Sequence, residues 1–180
     1  MYQPPLRRGQ MIAAAVVLAL LLAFIWALWV GEAPKPRHRW LPELQSGSHK
    51  LTELLIRAPS GQLLVDARRG PQGWRDKASD AALDHAAIAA FVVALSQAEI
   101  TAAETSLAQN YAQYNQLSAG SEQSAWQVRL ASDGGYLKQL HIGAGSDDYI
   151  FGRVEPDPTV FRIRAHLPWP PQQPPAWLQP

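Results

Sequence analysis

The sequence predicts an α+β protein: a small antiparallel meander sheet packed by one or two helices, behind a single N-terminal transmembrane helix. Three observations point there. Residues 11–30 form an unbroken apolar run, residues 81–98 carry apolar side chains at helical spacing, and most of the rest alternates apolar and polar residues between turns rich in glycine and proline.

The run MIAAAVVLALLLAFIWALWV, from Met11 through Leu20 to Val30, contains no charge, proline or glycine. About 20 helical residues cross the ~30 Å hydrocarbon core of a bilayer. Trp26 and Trp29 stand near its far end, where indole rings favour the headgroup region. A cleaved signal peptide has a shorter apolar stretch ending in small residues. This one ends in bulky residues, so an uncleaved anchor in the lipid bilayer is expected. Arg7 and Arg8 precede the span, which makes residues 1–10 a cytoplasmic tail. The remainder then lies across a bacterial inner membrane, in the periplasm.

Residues 31–50 read as a juxtamembrane linker stiffened by Pro34, Pro36 and Pro42. LTELLIR (51–57) and QLLVDA (62–67) form a hairpin around Ala58-Pro59-Ser60-Gly61. Gly73-Trp74-Arg75 supplies a short third strand. In residues 81–98, Leu83, Ala87, Ile88, Phe91, Val92 and Leu95 share one helical face. Asp80 or Asp84 can cap that helix. Residues 102–114 carry further helical propensity. Strands follow at 125–131, 136–142, 149–154 and 159–165, and the tight turns between them imply an antiparallel meander. The α+β domain thus spans 51–167. Residues 168–180 are a proline- and tryptophan-rich tail that favours the polyproline II conformation.

Composition excludes several classes of function. The formal net charge of +1 over 180 residues makes no electrostatic case for nucleic acid. Cysteine is absent, which removes disulfides, thiolate metal sites and a cysteine nucleophile. His38, His49, His85, His141 and His166 form no metal-binding spacing. Asp147, Asp148, Glu155 and Asp157 cluster near two turns but match no calcium loop. Gly143-Ala144-Gly145-Ser146 lacks the helix that a phosphate cradle needs after it. No catalytic residue, cofactor or metal ligand is therefore expected.

Two features suit partner binding. Trp169 and Trp177 are set among Pro170, Pro171, Pro174 and Pro175, and pre-extended proline segments dock in aromatic grooves at low entropic cost. Tryptophan is a frequent interface anchor. Arg129, Lys138, Arg153, Arg162 and Arg164 lie on neighbouring expected strands and could form a basic sheet face.

The order of these features resembles the DUF4340 family of bacterial envelope proteins. The resemblance runs from the hairpin of 51–67 through Gly73-Trp74 and the helix pattern Asp84, Ile88, Phe91, Ala94-Leu95. It continues through Tyr114-Asn115-Gln116-Leu117, Leu140-His141-Ile142-Gly143, Tyr149, Arg153-Val154 and Thr159-Val160-Phe161-Arg162-Ile163. The family usually has glycine where Asn115 stands here. The resemblance implies an accessory role beside other membrane-protein subunits, such as those of an ABC-type export system. The residues and the resemblance together point to a non-catalytic, membrane-anchored accessory subunit working through protein–protein contacts. The alternative is a tethered module that reads envelope glycan or lipid through Arg129 and Arg153.

Overall fold

A computed structural model describes residues 38–47, 50–118, 120–133, 135, 137–171 and 176–178. Among them, nine strands form one antiparallel sheet. The strands are β1 (His38–Arg39), β2 (Leu51–Arg57), β3 (Leu63–Gly70), β4 (Gly73–Asp76), β5 (Glu99–Thr105), β6 (Trp126–Ser132), β7 (Leu137–Ser146), β8 (Tyr149–Val154) and β9 (Val160–Arg164). Their spatial order is β1-β5-β9-β8-β7-β6-β2-β3-β4. Two α-helices accompany them, α1 (Glu43–Gly47) and α2 (His85–Gln97), with a 3₁₀ helix over Ala108–Tyr114.

The expected α+β class is therefore corrected to a predominantly antiparallel β fold. The difference lies in two stretches without alternation. The start of the helix-prone stretch 102–114 instead belongs to β5, which pairs with β9. Pairing with β1 on one side and β9 on the other outweighs the helical preference of alanine and glutamate. Residues 38–47, read as linker, pack into the domain. Trp40, Leu41 and Leu44 are buried, and the Trp40 N–H donates to the Ala98 carbonyl at 2.9 Å.

The membrane reading is corrected as well. Among the described residues no helix is long and apolar enough to cross a membrane. The longest, α2, has 13 residues, about 20 Å against the ~30 Å required. The run containing Met11, Leu20, Trp26, Trp29 and Val30 lies outside the described residues. The single-pass inner-membrane anchor and the periplasmic placement built on it are accordingly set aside.

One hydrophobic core lies on one face of the sheet. Leu54 and Ile56 of β2 sit opposite Leu130 and Val128 of β6, and those face Leu140 of β7 and its neighbours. Ile88, Phe91, Val92 and Leu95 of α2 close over them. A flat sheet of nine strands would be roughly 40 Å wide. Strands from both halves share this single core, so the sheet curls around α2. Asp84 starts the helix: its side chain accepts from the N–H groups of Ala86 at 2.8 Å and Ala87 at 3.1 Å.

The C-terminal tail completes the same core. Trp169 stacks on Trp126 with ring centroids 4.2 Å apart, and Trp169 and Trp177 both tilt against Phe91. The backbone locks the tail in place, with Ala176 N–H donating to Leu64 O at 2.9 Å and Asp84 N–H to Trp177 O at 2.6 Å. The second face of the sheet is covered over β7 and β8 by the segment after β5. There Asn115 adopts a left-handed conformation (φ 53°, ψ 45°), which asparagine tolerates better than most residues and glycine better still.

Candidate binding groove and the buried histidine

A groove of about 310 Å³ lies between α2 and β4, lined by Arg69, Gly73, Trp74, His85, Ile88, Ala89, Val92 and Val93. Helical spacing explains its helix wall, since positions 85, 88, 89, 92 and 93 fall on one face. Ile88 and Val92 form the floor, while Val93 is 49% exposed at the rim. Gly73 sits at φ +101°, where a side chain is strained, and a Cβ there would collide with the His85 ring.

β4 is the last strand of the sheet, but its outer edge is not open. His85 Nε2 accepts from Trp74 N–H at 2.9 Å, so the neutral ring carries its proton on Nδ1. Leu83 N–H donates to Trp74 O at 3.0 Å, and Asp76 N–H donates to Ala81 O at 2.9 Å. The groove can receive side chains, whereas its flanking strand has little left for pairing another strand.

Beside it, sharing Arg69 as a wall, is a second cleft of about 510 Å³ lined by Arg68, Arg69, Gly70, Pro71, Gln72, Arg75 and Asp80. Arg68 and Arg75 stand directly opposite in the β3–β4 ladder. Like charges there repel. Asp80 offsets this: Arg68 donates to its Oδ1 at 2.9 Å, and Arg75 Nε lies 3.2 Å from the same oxygen. The hydrogen bond from Arg68, with Arg75 nearby, holds the Asp80 carboxyl below its ordinary range. Asp80 presents itself from a left-handed backbone conformation (φ 55°).

On the second face, His141 Nε2 lies 2.7 Å from Glu155 Oε1. His141 is 7% exposed, and its Nδ1 is buried without a hydrogen-bond partner. A neutral ring donating from Nε2 leaves only a lone pair there, whereas a charged ring would leave a buried, unpaired N–H. Burial pushes the His141 pKa below 6.5, the nearby Arg153 charge adds to this, and the Glu155 hydrogen bond opposes it only in part. The unfolded chain therefore binds this proton more readily than the folded one. Stability is full above pH 6.5 and falls as pH drops from there toward the folded-state pKa. Urea midpoints at a series of pH values should show this loss in the wild type and much less of it in His141→Gln. Equal slopes would remove His141 as the cause. Asp80 and Asp157 are also shifted down, but their ordinary value is 3.8, so their effect comes at much lower pH.

The residues singled out in the sequence are distributed differently from expectation. The rings of Trp169 and Trp177 are engaged within the domain, Pro170 is buried beside them and Pro171 is exposed. Pro174 and Pro175 lie outside the described residues. Arg129 and Arg153 share the second face but are separated by β7 and offset along it. Arg129 is exposed, whereas Arg153 lies over the Tyr111 ring at 4.9 Å. Arg162 is held by Glu104 at 2.7 Å and lies over Tyr149. Lys138 faces the opposite way, 3.2 Å from Glu43. Arg153 and Arg162 of the expected basic face are thus committed to intramolecular contacts, while Arg129 and Arg164 are exposed. Glu155 is bound to His141, and Asp157 accepts from Thr159 N–H at 2.8 Å. Sequence reasoning missed the groove and the Arg68, Arg69, Arg75 cluster. The adjacent arginines flanking a Gly-Pro-Gln-Gly turn were the only available signal.

No family model, no curated protein and no solved structure matches the chain. The similarity to the DUF4340 family rests on the order of motifs alone.

Proposed function

We propose that this chain is a non-catalytic interaction domain that holds a short segment of a partner protein in the groove between α2 and β4. The observation that carries this reading is the groove itself. It has an apolar floor, an exposed aliphatic rim at Val93 and a guanidinium at its mouth, in the volume range of ligand sites. A strand-pairing mode is disfavoured because β4's outer groups are taken by His85, Ala81 and Leu83. The His141–Glu155 pair suits catalysis poorly: His141 is buried, with its free nitrogen turned into the protein.

Panning a library of displayed random peptides tests this reading. Peptides should be enriched on the wild type and lost on Ala89→Trp and Val93→Glu, which fill or charge the groove from exposed positions. Equal enrichment on wild type and both folded variants would refute it.

A further inference from the structure

We infer that the partner segment is acidic, its carboxylates taking the place that Asp80 now fills between Arg68 and Arg75. This rests on the groove reading above and specifies its occupant.

Together with the Asp80 carboxylate, Arg68, Arg69 and Arg75 line the cleft at the β3–β4 turn. Two of them face each other across the ladder, an arrangement that costs stability unless an anion lies between them. The protein supplies that anion itself, as a carboxylate. Asp80 does so from an exposed, left-handed position, with its side chain 58% accessible. A carboxylate is thus the ligand this site already holds, and it holds it where solvent can compete. Arg75 is further steered by Gln72 Oε1 at 3.1 Å and by the Asp80 carbonyl at 2.9 Å, so its guanidinium stays in place if the Asp80 side chain leaves. Arg69 lines both this cleft and the apolar groove. Arg68 and Arg75 project from the face of the β3–β4 ribbon opposite Trp74, so a segment with an aliphatic residue over Ile88 and Val93 must pass around the Gly70–Gln72 turn, beside Arg69, to bring a flanking carboxylate to them. Guanidinium–carboxylate contacts of this kind are directional and charge-assisted.

The test uses the full chain and two short synthetic peptides with the same leucine pair, one flanked by glutamates and the other by glutamines. Fluorescence anisotropy should show the glutamate peptide binding about tenfold tighter than its neutral twin, an advantage that salt erodes. Arg68→Gln and Arg75→Gln should abolish the advantage. Asp80→Asn tolerates the same backbone conformation and removes the internal competitor, so it should tighten glutamate-peptide binding severalfold. A merely structural Asp80 would give weaker binding or none. Equal binding of both peptides, lost in Val93→Glu, would overturn the acidic occupant and leave the groove reading standing. No binding of either peptide, or binding indifferent to Val93→Glu, would overturn both.

Discussion

Phe91→Ala is expected to destabilise the domain by about 3–5 kcal/mol, the usual cost of emptying a buried aromatic site. Phe91 is fully buried, and it touches Trp169 and Trp177 at centroid distances of 5.6 and 5.7 Å. Its loss therefore leaves a cavity and also removes the surface on which the tail lies. A domain of this size is stable by only about 5–15 kcal/mol. Phe91→Leu keeps much of the volume and should cost less than about 1.5 kcal/mol. Urea unfolding followed by tryptophan emission measures both, and the alanine variant should also shift native emission to the red as Trp169 and Trp177 gain water. An alanine variant within about 1 kcal/mol of wild type, with unshifted tryptophan emission, would show that neither the core nor the tail depends on this side chain.

Gly143→Ala should cost about 3 kcal/mol through overpacking. β7 passes directly beneath the segment that follows β5, and a Cβ at this position would collide with the backbone carbonyls of Tyr114 and Asn115. Backbone cannot yield as a flexible side chain can. The strand or its cover must shift, disturbing Gln116, whose Nε2 donates to Phe151 O at 3.0 Å. His141 lies two residues along the same strand on the same face, so loosening this cover should also weaken the acid sensitivity attributed to it. Denaturant midpoints at neutral and mildly acidic pH read both effects. Stability within about 0.5 kcal/mol of wild type would show that the close approach is not maintained in solution.

The strands of the hairpin and of the β6–β9 meander were legible because one face of each is buried, which imposes alternation. α2 was legible from Ile88, Phe91, Val92 and Leu95. Its start was narrowed to two aspartates, but which one caps depends on where β4 ends: Asp84 caps, and Asp80 turns toward the arginines. The curl of the sheet, and with it the joining of β5 to β9, was not legible. An alanine-rich strand interrupted by two bulges carries no alternation, and its partner lies 61 residues away where Thr101 meets Arg162.

Local pattern determined which residues of the alternating strands and of the main helix face the core and where the turns fall, because those follow from neighbours in the chain. Tertiary structure alone decided the site. It brought the β3–β4 turn beside α2 to form the groove. It set Arg68 opposite Arg75 with a carboxylate between them. It also turned the tryptophans of the tail inward, since their apolar area is better satisfied against Phe91 than in water.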